Sequence, residues 1–135
     1  MVIDTSVLVS IVLLEPTRDF LVASIRAAVT RNISSVSLLE AGMVIRSRAN
    51  EQAVTKLYDS IAVLGIETVV FDEAQAKLAV SAFARFGKGI GHRAQLNFGD
   101  CAVYALAAMR GEPILATGND FVSTDLTVVH PTSGA

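Results

Sequence analysis

Short Val- and Ile-rich runs alternate with stretches of helical spacing along the whole chain, and this alternation constrains the fold more than any other feature. Residues 1–4 read as a short buried strand that ends at a turn. Residues 6–14 read as a short, mostly buried helix. Pro16 suits the first turn of a second helix, in which Phe20, Leu21, Ile25, Ala28 and Val29 recur at helical spacing. Residues 33–36 read as a second strand, 37–48 as a helix, 51–64 as a further helix stopped by Gly65, and 66–71 as a β-branched strand. A helix over 73–86 and a glycine-broken loop over 87–99 follow. The chain then continues with an Ala-rich helix over 100–109, a strand over 113–117, a turn at Gly118-Asn119 and a last strand over 127–130. Strands joined through helices pair in parallel, and a parallel sheet is covered on both faces. The expected fold class is α/β: three layers, α/β/α, around a central, mainly parallel sheet, with residues 1–135 in a single domain.

At 135 residues the chain can bury roughly two-thirds of its unfolded surface. Eleven Lys and Arg against thirteen Asp and Glu leave a formal charge of −2. That excludes a globally basic nucleic-acid binder, so any polyanion site has to be a local patch. Hydrophobic residues make up 52%, which excludes a disordered chain. Charged residues are only 18%, below the usual ~25%, so part of the apolar surface is expected to be covered by a partner. One cysteine permits no disulfide within the chain and points to the cytoplasm. Residues 7–14 are apolar apart from Ser10, but they lack a basic leader, follow Asp4 and end in Glu15-Pro16 without a small-residue cleavage site, so export is not expected. No window reaches the ~18 apolar residues of a membrane span.

In an open parallel sheet, ligands bind beyond the carboxyl ends of the strands. Four acids map there. Asp4 ends the first strand, Glu40 falls in the first turn of the helix after the second, Asp100 opens the helix after the glycine loop, and Asp120 follows the turn after 113–117. Each also has a structural reading. Ser37 and Glu40 have the spacing of a capping box, as do Asn97 and Asp100. Asp4 suits a helix cap and Asp120 a turn. Taken singly, Glu40 and Asp120 are accounted for by the structural roles, and Asp4 and Asp100 by either reading. Taken together, four carboxylates at one edge of a chain with few charges repel one another unless a cation sits among them. Hard divalent ions with oxygen ligands, Mg²⁺ or Mn²⁺, fit such a set. His92 and His130 lie away from the acids and Cys101 neighbours one of them, which argues against zinc. A carboxylate-held divalent ion suits phosphoryl chemistry. Thr5, Ser6 and Thr117 lie beside the acids, placed to orient a water or a phosphate, with helix capping as the alternative for Ser6.

Between Glu73 and Asp100 there is no acid, while Lys77, Arg85, Lys88 and Arg93 are present. This local basic stretch leads into Asp100, with Lys88 and Arg93 the expected phosphate contacts. A solvated helix face and polar loop is the alternative. With no Trp, and only Phe86 and Phe98 near this loop, no base-stacking surface is evident.

Met-Val-Ile-Asp-Thr-Ser at the start, Ser-Leu-Leu-Glu-Ala over 37–41, Leu-Asn-Phe-Gly-Asp-Cys over 96–101 and Thr-Gly-Asn-Asp-Phe over 117–121 resemble PIN domains, in order and over nearly the whole chain. The match is to the VapC-type toxins of bacterial toxin–antitoxin pairs. The resemblance implies a PIN-like fold and a Mg²⁺- or Mn²⁺-dependent endoribonuclease. It also implies a homodimer, neutralised by a small VapB-type antitoxin whose tail sets a basic residue among the acids. On that pattern Asp4, Glu40 and Asp100 are the core acids, with Asp4 and Asp100 holding the metal. Many family members carry Thr-x-Asp where this chain has Thr117-Gly118-Asn119, so Asn119 stands in the fourth position. Asp120 serves instead, with Asp125 the further candidate.

Two other classes compete. A haloacid-dehalogenase-type phosphatase also places an acid after its first strand, but wants a second Asp where this chain has Ser6. A non-catalytic binding module would use the same acids only as caps and would not bind Mn²⁺.

Overall fold

Val2 and Ile3 form a two-residue strand, β1, with both side chains fully buried, one on each face of a sheet. Opposite-face burial leaves no polar face on a strand, which is why the run is continuously apolar. The computed structural model describes residues 1–131, so the last four positions of the expected domain lie outside the described residues. After β1 (Val2–Ile3) come α1 (Thr5–Val12), α2 (Arg18–Ala27), β2 (Asn32–Ser34), α3 (Ser35–Arg48), α4 (Glu51–Val63) and β3 (Glu67–Val69). The chain continues through α5 (Glu73–Phe86), α6 (Phe98–Arg110), β4 (Ile114–Leu115) and β5 (Val128–Val129). The five strands pair in parallel in the order β3-β2-β1-β4-β5.

Register explains the two cores. Val2 pairs with Ile114 and Ile3 with Leu115. Ile3 and Leu115 face a core with Leu8, Leu21, Ile45 and Leu57 from α1 to α4. Val2 and Ile114 face the other core, with Phe86, Val103, Leu106 and Phe121. The three-layer α/β/α arrangement expected from the alternation is thus present. The α6 helix is buried from Gly99 to Ala107, and its alanines let it lie close to the sheet. The chain builds outward from β1 through β2 to β3, then crosses to β4 and β5 on the other side. The order therefore reverses between β1 and β4, where a crevice opens beyond the strand ends.

Most element boundaries move by one to three residues from the expected ones, and one shift has consequences. The strand expected over 33–36 is Asn32–Ser34, and α3 starts at Ser35, two residues earlier than expected. Its cap is Ser34, whose Oγ accepts the Val36 N–H at 3.2 Å, so Ser37 is not the cap. The Ser37–Glu40 capping box therefore does not form. Glu40 is the sixth helical residue, beyond the orphan amides that a box would satisfy. The expected helix start at 100 is likewise earlier, at Phe98, with Asn97 as its cap.

Candidate active site

Asp4 follows β1 in extended conformation and caps α1. Its Oδ2 accepts the Ser6 N–H at 3.1 Å and the Ser6 hydroxyl at 2.5 Å. The Ser6 Oγ in turn accepts the Thr117 N–H at 3.2 Å. Ser6 thereby ties the end of β1 to the segment after β4, across the point where the strand order reverses. Its role is this bridge rather than a cap. Thr5 donates from Oγ1 to the Ser37 carbonyl at 3.3 Å, which fastens the start of α1 to α3.

Asp100 forms the capping box expected with Asn97. Its Oδ2 accepts the Asn97 N–H at 3.0 Å, and Asn97 Oδ1 accepts the Asp100 N–H at 2.9 Å. Asp4 and Asp100 are each only 8% exposed. Glu40 reaches over from α3 to the first turn of α6. A Cβ on Gly99 would lie 2.7 Å from one Glu40 oxygen and 2.8 Å from the other. A side chain at 99 would therefore push that carboxylate out of its place.

Asp4, Glu40 and Asp100 line one open cleft of about 350 Å³, with Thr5, Ser6 and Thr117 on its walls. Burial pushes the Asp100 carboxyl up to about 7, with the neighbouring charges of Asp4, Asp120 and Glu40 adding to the rise. Burial also raises Asp4, against the lowering effect of its bonds from Ser6, with Glu40 and Asp120 adding in the same direction. Asp120 is exposed, in the turn after β4, and acts on the cleft through its charge rather than as a wall. Asn119 is exposed, and its carbonyl accepts the Val122 N–H at 3.4 Å. Asp125 is committed elsewhere: it accepts from Tyr104 Oη at 2.6 Å and from Arg85 at 3.3 Å. The Tyr104 bond, ahead of Arg85, holds its carboxyl below the ordinary value. Of the residues considered for the fourth position, Asp120 is the one coupled to the other acids.

The donors facing the cleft are oxygens, which suits a hard divalent ion. The burial and repulsion that raise Asp4 and Asp100 are what a cation among them would offset. Among the described residues, no three His, Cys, Asp or Glu side chains stand close enough together to enclose an ion as placed. A larger, mostly apolar groove of about 720 Å³ between α3 and α4 is lined by Leu38, Leu39, Met43 and Tyr58. It lacks the converging carboxylates of the smaller cleft.

Of the four expected cations, Lys77 pairs with Glu73 at 3.3 Å, and Arg85 with Asp125 while lying over the Phe86 ring. Lys88 and Arg93 are exposed on the loop between α5 and α6 and do not line the cleft. Sequence reasoning missed three polar residues that do: Ser10, Glu15 and Arg48. A signal for the arginine was present. Glu40, Val44 and Arg48 recur every fourth residue, so one face of α3 carries all three into the cleft.

Residues 1–126 match the family model described as PIN domain. The chain belongs to the PIN domain family. It is 42% identical over 130 residues to a Ribonuclease VapC of Mycolicibacterium smegmatis, covering 96% of this chain and 100% of that protein. It is 40% identical over 127 residues to Ribonuclease VapC28 of Mycobacterium tuberculosis, covering 92% and 93%. Identities of this size over whole chains put it with the VapC branch of PIN domains. Among solved structures, Mycobacterium tuberculosis VapC20, described as a Sarcin-Ricin loop cleaving toxin, superposes with a TM-score of 0.78 at 17% identity, covering 96% of this chain and 98% of that one. A toxin–antitoxin complex from Klebsiella pneumoniae gives 0.68 at 15%, covering 95% and 94%. These two likenesses are of fold, and they agree with the PIN-like architecture.

Proposed function

We propose that this chain is a metal-dependent endoribonuclease toxin that hydrolyses RNA phosphodiester bonds and is neutralised by a cognate VapB-type antitoxin. The observation that carries the reading is the cleft beyond β1 and β4. There two buried carboxyls, Asp4 and Asp100, are raised by burial, Asp100 also by the charge of Asp4, with Glu40 and Asp120 coupled to both. Caps alone do not account for this. Asp4 and Asp100 do cap helices, which is what a binding module would need, but Glu40 caps nothing, and Gly99 leaves the space that its carboxylate fills.

In this reading Asp4 and Asp100 hold the ion, Mg²⁺ or Mn²⁺. Glu40 supports it or accepts a proton from the attacking water, and Asp120 completes the cluster. When bound there, the ion neutralises phosphate charge and acidifies a water. Ser6 is occupied by Asp4 and Thr117, so it holds Asp4 in place rather than contacting the substrate directly. This also disfavours the haloacid-dehalogenase alternative, whose second acid would stand at position 6. Thr5 and Thr117 line the path of the RNA, and Lys88 and Arg93 extend it outward from the loop. Water attack of this kind leaves a 5′-phosphate on the product. The exposed apolar side chains Leu39, Met43, Tyr58 and Phe98 give surface for the antitoxin and for a second copy in a homodimer. No helix among the described residues is long and apolar enough to cross a membrane, and the reading is of one domain over 1–135 acting in the cytoplasm.

The test is to induce the chain in a bacterial host and sequence RNA 5′ ends. New 5′-phosphate ends at defined positions, absent with Asp4→Asn, are expected. An unchanged set of ends would overturn the reading.

A further inference from the structure

The acids leave an electrostatic difficulty that the proposed function does not resolve. A polyanion has to enter a cleft walled by Asp4, Glu40 and Asp100, with Glu15 beside them. Among the described residues, the one cation on its walls is Arg48. It stands in the last turn of α3, on the same face as Glu40 and Val44.

Its partner is built with care. Glu15 accepts the Ser10 hydroxyl at 2.9 Å through Oε2 and faces Arg48 with Oε1, at 3.5 Å from Nη2. The turn that delivers Glu15 is a Schellman closure of α1: Glu15 N–H bonds the Ser10 carbonyl at 2.9 Å, and Leu14 N–H bonds the Ile11 carbonyl at 3.4 Å. The left-handed residue of that closure is Leu14, at φ 57°, where glycine is the usual choice. A leucine there carries local strain, and the turn sets Glu15 against Ser10 and Arg48.

The pair itself is loose. The Arg48 and Glu15 side chains are 55% and 37% exposed, and their contact is a single long one. Exposed pairs of this kind contribute little. A guanidinium so held can be drawn away by a better acceptor, and a phosphate, which takes two parallel N–H bonds, is such an acceptor. A location in the last turn of α3 suits any cation through the helix dipole, but that role requires neither Glu15 nor the cleft-facing side of the helix.

We propose that Arg48 is the inner phosphate-binding residue of the cleft, parked on Glu15 in the free chain and transferred to an RNA phosphate when substrate seats beside the acids. The proposal rests on the nuclease reading and assigns the cation that reading lacks.

The test is equilibrium binding of a short fluorescent single-stranded RNA across a salt series, in Ca²⁺ to limit cleavage. It compares the parent chain, Arg48→Ala, Arg48→Lys, Glu15→Gln and the Glu15→Gln/Arg48→Ala double variant. Arg48→Ala is expected to weaken binding about tenfold, the loss of one charge-assisted contact, and to lower the salt slope by roughly 0.7. Its Mn²⁺ affinity should be unchanged. Arg48→Lys should keep the slope and recover part of the affinity. Glu15→Gln should tighten binding more in the parent than in the Arg48→Ala background, since only the parent has an arginine to release. An unchanged salt slope in Arg48→Ala, or an equal effect of Glu15→Gln in both backgrounds, would overturn the assignment. If Asp100→Asn still abolished cleavage in that case, the nuclease reading would survive. A parent chain that neither bound nor cut RNA would overturn both.

Discussion

Asp100→Asn separates a helix cap from an active-site acid, because the two roles predict opposite signs for stability. The substitution keeps an oxygen to accept the Asn97 N–H, so the capping box survives. What it removes is a buried negative charge beside three others. A carboxyl at about 7 instead of 3.8 corresponds to about 4 kcal/mol of cost for the charged form. The side chain faces an open cleft that solvent enters, and screening reduces this to on the order of 2 kcal/mol. The raised value fixes the pH window. Protonation of Asp100 gives the parent stability that is full below about pH 4 and is lost as pH rises through about 7. The asparagine variant has no such loss. At pH 8 in EDTA it should therefore melt about 7 °C above the parent, while at pH 4 the two should converge. Thermal melts followed by circular dichroism measure both, and RNA cleavage by the same preparation should be absent. A variant that melts below the parent at pH 8 would mean that Asp100 is chiefly a cap, and the charge argument for the cleft would fail.

Four further outcomes follow from the same geometry. Gly99→Ala should leave the melting temperature nearly unchanged, because the Glu40 carboxylate is the flexible end of a side chain and can move aside, yet it should cut the rate of RNA cleavage; unaltered kinetics would remove Glu40 from the site. Leu14→Gly should stabilise the chain by about 1 kcal/mol by relieving the left-handed leucine, measured by urea unfolding, with a loss of stability counting against strain at that turn. Asp125→Asn should lower the melting temperature at pH 7 without slowing cleavage, since Asp125 binds Tyr104 and Arg85. Its depressed value means that this contribution is present above about pH 4 and fades as pH falls further, and a cleavage defect would instead move Asp125 into the site. Lys88→Ala with Arg93→Ala should flatten the salt dependence of RNA binding and leave Mn²⁺ affinity alone; an unchanged slope would make them ordinary loop charges.

The layers were legible in the sequence because the buried strands β1 and β4 are apolar throughout, and helical spacing or an Ala-rich run with a glycine stop marks the segments between strands. Ends were less legible. Ser34, Ser35 and Ser37 are all competent caps, and only the pairing of Asn32–Ser34 with Glu67–Val69 decides that the strand stops at Ser34. That two-residue difference changed the meaning of Glu40 from a possible cap to a free carboxylate. Asp4 and Asp100 were found by position in the chain, at a strand end and a helix start, and both positions survive in the structure. Glu15 was not found, because it enters the cleft through a turn whose left-handed residue is a leucine, and no local pattern announces that conformation. Arg85 was misleading for a similar reason: its partner Asp125 lies forty residues on, and charge counted along the chain does not see it.

Whether the carboxylate cleft cuts RNA with a divalent ion is decided by cleavage of a defined RNA by the purified chain, with and without metal. The RNA would be 5′-labelled and incubated with the parent, Asp4→Asn and Asp100→Asn, each in Mg²⁺, Mn²⁺ or EDTA, and the products tested for ligation through a 5′-phosphate. Internal cuts with ligatable 5′-phosphate ends are expected for the parent in metal, none in EDTA, and none for either variant. Equal cutting in EDTA, or by both variants in metal, would contradict the nuclease reading.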